Sequence, residues 1–130
     1  MNAPSVDVKD MLETDSSLGL NLNVDLFVGR EPATPRNCVT IFDTPGFPPG
    51  LTLDSKLYEY PSVQIRVRNI SYLNAQSLAS AIMISIHGRA KQTWNGTLYT
   101  VIYCSSGPAL LDWDENGNAR FIINFNLQRR

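Results

Sequence analysis

The chain has a single histidine and two cysteines in 130 residues, which removes most metal and redox chemistry at once. Cys38 and Cys104 form no CxxC pair, and His87 alone cannot complete an ordinary zinc cluster with them. Both cysteines sit in apolar runs, which reads as two reduced, buried thiols in strands. There is no Gly-x-Ser-x-Gly elbow, no phosphate-binding glycine loop and no HExxH pair. No apolar run approaches the roughly 18 residues of a membrane span. Met1–Val8 lacks a basic region followed by an apolar one, so no secretory signal is expected. The Asn69-Ile-Ser71 and Asn95-Gly-Thr97 glycosylation patterns then read as chance. Charge is nearly balanced at a net −1, which supplies no long-range attraction for nucleic acid or acidic lipid. Repeats and low-complexity segments are also missing.

What remains is an ordinary globular composition, 43% hydrophobic, which argues against disorder. The length suits one domain over residues 1–130. Its centre is residues 61–87. Val63, Ile65 and Val67 alternate with Gln64, Arg66 and Arg68, the period of a strand with one buried face. Pro61 suits the first position of that strand, because it has no amide to donate. After Ser71 the period changes. Ala75, Leu78, Ala79, Ile82 and Ile86 fall three and four apart, on one face of a helix of about four turns. Gly88 is placed for a left-handed cap, and His87 and Arg89 suit the helix's negative end.

Either side of this unit the elements are shorter. Ser5–Thr14 predicts a helix capped by Ser5, with Val8, Met11 and Leu12 on one side. Asp25–Gly29 and Cys38–Asp43 predict strands, joined by a proline-bearing loop over residues 31–37. Thr44–Gly50 is so rich in proline and glycine that it predicts a protruding loop, running on to Lys56. That loop either presents Phe47 rigidly or is a plain connector. Leu98–Cys104 predicts a strand, Ser105–Pro108 a turn, and Leu110–Trp113 a short strand. Asn116-Gly117 marks a hairpin, followed by a last strand with Phe121, Ile123, Phe125 and Leu127 on one face. The class is α+β: a mostly antiparallel or mixed sheet packed against a central helix and a short N-terminal helix.

Three constellations hint at chemistry. Asp112, Asp114 and Asn116 occupy ligand places of a calcium loop, but the place for its bidentate glutamate is Ile123, and a hairpin fits the flanks better. His87 with Cys38 or Cys104 could pair as base and nucleophile. His87 falls in a last helical turn, however, and both cysteines lie inside strands, so a capping or interface histidine is the preferred reading. No metal, no cofactor and no catalytic set is expected. Arg66 and Arg68 could meet Glu59 or Asp43, face nucleic acid, or pair with a partner's carboxylates; opposed charges on a sheet face are also ordinary. The central helix is apolar on more than one side, with Leu73, Met83 and Ile84 off its main line. Either the N-terminal helix covers them or another subunit does.

Asn37–Pro49, Tyr60–Arg68 and Trp94–Thr100 together resemble a family of small proteins of tailed bacteriophages and prophages, labelled minor capsid or tail terminator (tail completion, head–tail joining) proteins. The similarity continues through Ser106–Trp113 and Phe121–Arg129, and so covers the chain from Val6 onward. It implies a non-enzymatic α+β virion protein that forms a hexameric ring on the finished tail tube. There it would stop polymerisation and offer a surface to a head-completion or connector protein. DNA would be met only in passing through the ring, and no membrane is involved. The implied location is the head-proximal end of the tail, after assembly in the bacterial host cytoplasm. Interface candidates are Phe47, Leu73, Met83 and Ile84, with Arg66 and Arg68 as charged lumen or partner contacts. The alternatives are a connector adaptor on the portal side and a cytoplasmic enzyme using Cys38 or His87.

Overall fold

The computed structural model describes residues 1–51 and 57–130. Within them the order is α1 (Pro4–Thr14), β1 (Leu26–Val28), β2 (Cys38–Leu51), β3 (Leu57–Asn69), α2 (Tyr72–Ile86), β4 (Ala90–Trp94), β5 (Thr97–Trp113) and β6 (Ala119–Arg129). The strands form one mixed sheet ordered β1-β2-β3-β6-β5-β4, in which β1 and β2 are parallel and the other neighbours antiparallel. Both helices lie on one face. The α+β expectation holds.

The core follows from the period-two pattern. Val63, Ile65 and Val67 of β3 face Phe125, Ile123 and Phe121 of β6, and all six are buried. Val39 and Ile41 of β2 extend the same face, and α2 closes it with Ala75, Ala79, Ile82 and Ile86. Burying side chains of this kind stabilises a fold by about 1.5–3 kcal/mol each for the larger ones. Helix α1 adds Val8, Met11 and Leu12 over β1, β2 and β3. At the start of α2 the Ser71 hydroxyl accepts from the Asn74 amide at 3.3 Å. At its end Gly88 takes φ 87°, and Arg89 donates to the Ser85 carbonyl at 2.9 Å, as the sequence suggested.

Four expectations give way. Thr44–Gly50 is strand, not loop: β2 runs to Leu51 and pairs with β3 as far as Leu51–Leu57. The pairing steps from Thr44 to Phe47 to Gly50, so Pro45, Gly46, Pro48 and Pro49 fall in bulges where no ladder amide is needed. Pro61 lies inside β3 at the same irregularity, not at its start. The rest of the expected loop, residues 52–56, lies outside the described residues. Ser105–Pro108 likewise continues β5, which absorbs Gly107 and Pro108 in a bulge between Ser106 and Ala109. Gly107 has φ 99°, and a Cβ there would stand 2.5 Å from the Ile122 carbonyl oxygen, so only glycine fits. Finally Ser5 does not cap its own helix. Pro4 takes the first helical position, and Ser5 instead donates to Asp43 on β2.

Strand β4 is a further element that Ala90–Trp94 do not announce by any strand periodicity. Asn95 and Gly96, at φ 51° and 79°, make the tight turn that joins it to β5. That is the Asn-Gly hairpin signal, here read only as part of a glycosylation pattern.

Candidate interaction surface

The helix-free face of the sheet is built from alternate residues of β3, β5 and β6. Gln64 donates to Asn124 at 3.2 Å, Ser62 to Asn126 at 2.6 Å, and Asn124 to Ser106 at 2.8 Å. These neutral amides and hydroxyls largely satisfy one another. Arg66 lies among them, half-buried, its guanidinium 4.9 Å from the Phe42 ring centroid and donating to Gln64 at 3.1 Å.

Arg68 has a different task. Its side chain is 6% exposed, and it donates to the carbonyls of Pro32 (2.6 Å), Pro35 (2.7 Å) and Arg36 (2.9 Å) and to Glu31 (3.1 Å). It therefore holds the 31–36 segment against the sheet instead of standing free on it. Arg120 shares Glu31 at 3.1 Å and forks onto Asp112 at 2.6 and 2.5 Å. That fork holds the Asp112 carboxyl below its ordinary value and raises Arg120 further. Neither Glu59 nor Asp43 meets these arginines: Glu59 pairs with Arg129 at 2.9 Å and Asp43 with Ser5.

The chemical hints resolve into structure. Asp114 accepts from the amides of Asn116 (2.9 Å) and Asn118 (2.8 Å), which shapes the β5–β6 turn and occupies the carboxylate a calcium loop would use. Burial raises Asp114, but these amide donors outweigh it and its pKa ends lowered. Among the described residues no group of three His, Cys, Asp or Glu is arranged to hold a metal. His87 Nδ1 accepts from the backbone amide of Cys104 at 2.9 Å, so the histidine engages the main chain and not the thiol. Cys38 is buried as expected while Cys104 is half-buried, and burial pushes both thiols up, away from nucleophilic character.

Exposed apolar side chains are the more telling feature. Phe47 is 65% exposed, Leu73 70% and Ile84 73%, whereas Met83 is half-buried and packs partly on the core. Helix α1 lies beside α2 on the sheet and leaves Leu73 and Ile84 open. A second cluster has no counterpart in any local sequence pattern. Tyr72 stacks on Trp113 with ring centroids 6.0 Å apart and meets Phe121 edge-on at 5.1 Å. Leu110 and Ile70 are exposed too. Tyr72 and Trp113 are far apart in sequence and meet only because β5 ends and α2 begins at the same rim.

Helices on one face of a sheet, a network of amides and hydroxyls on the other, and large apolar side chains left exposed are features of a structural protein. The chain belongs to the family described as bacteriophage tail terminator protein, which matches residues 9–130. It is a structural, tail-associated protein of a tailed phage, consistent with a tail-terminator-like role. Its fold is similar to that of a chain in the solved "Virion of native gene transfer agent (GTA) particle". The TM-score is 0.69 and the identity 13%, over 98% of this chain and 94% of that one. Comparison with curated protein sequences gives no match.

Proposed function

We propose that copies of this chain close into a ring on the head-proximal end of the finished tail tube, end its polymerisation, and present a surface to a head-completion or connector protein. The observation that supports this most is the exposure of Phe47, Leu73 and Ile84 in a tail-terminator family member. Exposed apolar side chains that gather into a contiguous patch mark a surface for protein contact. Phe47, Leu73, Met83 and Ile84 are the proposed contacts between copies or with neighbours. Arg66 is the charge available to a lumen or a partner; Arg68 contributes by holding the 31–36 segment. Six copies is the number the family resemblance implies for that ring. DNA passes through it without specific readout, in keeping with a helix-free face made mainly of amides and hydroxyls. Assembly takes place in the host cytoplasm.

Native mass spectrometry tests the ring directly, on the free protein and after incubation with tail tubes that lack it. A closed oligomer in either sample is expected. A monomer in both overturns the ring.

A further inference from the structure

The exposed apolar side chains gather mainly at two ends of one sheet. At one end stands Phe47, paired across the ladder with Tyr60 and flanked by the exposed Pro45, Pro48 and Pro49. At the other end is the Tyr72–Trp113 stack, with Leu73, Leu110 and Ile70 around it. Strand β3 measures the separation. It runs from Tyr60, opposite Phe47, to Asn69, opposite Ala119, which in turn faces Trp113. At roughly 3.3 Å per residue that is about 30 Å, so one copy cannot bring its own two clusters together.

Each cluster is also fixed in place by a bulge that admits only glycine. A Cβ on Gly46 would stand 2.1 Å from the Tyr60 carbonyl oxygen, and one on Gly107 2.5 Å from that of Ile122. The first bulge turns out Phe47. The second resets β5 so that Leu110 lies opposite Phe121, on the helix side of the sheet.

We propose that these clusters are the two halves of one junction between copies, with Phe47 of one copy seated on the Tyr72–Trp113 pair of the next. The inference rests on the ring reading above and names its contact. Three arguments favour a second copy as occupant. Phe47 is an exposed aromatic held in place by the bulges either side of it, and an exposed Tyr–Trp pair is a surface on which another aromatic packs well. Knob and socket occur once each per chain, so a closed ring covers every one of them. Unlike surfaces at opposite ends make a head-to-tail contact, which generates a ring when the rotation closes. Tyr and Trp are also the residues that most often carry binding energy.

Complementation tests it. Phe47→Ser removes the knob and Trp113→Ser the socket, and each variant alone is expected to lose assembly while staying folded by circular dichroism. Mixed in equal amounts they retain one intact junction and should give heterodimers, but nothing larger. If Trp113→Ser unfolds, Leu73→Asp replaces it. Where assembly needs a template, Pro48→Cys chains, which keep Phe47, and Leu110→Cys chains are mixed on tail tubes lacking the protein. A disulfide-linked heterodimer is then expected, absent when either variant is used alone. Rings from wild type together with normal assembly of the single variants would overturn the junction and leave the ring standing. So would variants that fail to assemble alone and stay monomeric when mixed, since the clusters would then face other proteins. No cross-link, free or on tubes, also overturns it; a wild type without rings on tubes defeats the ring reading itself.

Discussion

The carboxylate of Asp43 accepts both the backbone amide of Ser5, at 2.9 Å, and its hydroxyl, at 2.7 Å. Ser5 is the second residue of α1, so its amide is one of the donors a helix start leaves without an internal partner. Strand β2 thus caps helix α1 from outside, and the negative charge suits the helix's positive end. Asp43→Ala should cost about 1 kcal/mol, the usual loss for a removed cap. Amide exchange in Pro4–Thr14 should quicken more than in β3 or β6. Unchanged exchange there would mean that Val8, Met11 and Leu12 alone hold α1.

Ile65→Asp places a carboxylate between β3 and α2 at a fully buried position. Leaving such a group unpaired costs several kcal/mol, a large share of a small domain's stability. Little soluble protein is expected. A wild-type yield and circular dichroism spectrum would contradict the core described here.

Ile84→Lys should leave the monomer folded, because Ile84 is 73% exposed, yet weaken assembly if that side chain is covered in the ring. The paired readout is melting temperature and oligomer mass. A large fall in melting temperature would place Ile84 inside the subunit.

The Asp112 carboxyl is held low by Arg120, so it favours the folded state while ionised. That contribution is complete above the ordinary carboxyl value of 3.8 and is lost as pH falls through the lower folded value. Asp112→Asn should therefore flatten part of the acid limb of a stability–pH profile below 3.8 while leaving its shape near neutrality unchanged. An identical acid limb in the variant would contradict the coupling.

The sequence made the centre legible and the margins less so, for definite reasons. Val63, Ile65 and Val67, the α2 stripe and the β6 alternation are local periodicities that one buried face enforces, and each held. Thr44–Gly50 and Ser105–Pro108 misled because proline and glycine forbid a regular ladder but not a bulged one. Whether a bulge forms depends on the partner strand, as with Gly46 against Tyr60. The sequence leaves Arg68 solvated, paired with Glu59 or Asp43, or facing a partner, because its main acceptors are backbone carbonyls of the 31–36 segment, which no sequence pattern announces. Leu73 and Ile84 stand out as apolar residues off the α2 stripe, and Phe47 as the aromatic of the proline- and glycine-rich stretch. The Tyr72–Trp113 stack could not, because it exists only where α2 and β5 meet.

The central claim is that this chain ends a tail tube by closing a ring over it. The most direct measurement is the length distribution of tail tubes polymerised with and without the purified protein, read from electron micrographs that also show the tube ends. The account predicts tubes that stop growing and carry a ring at one end only. Tubes that lengthen equally in both samples, with bare ends, would contradict it.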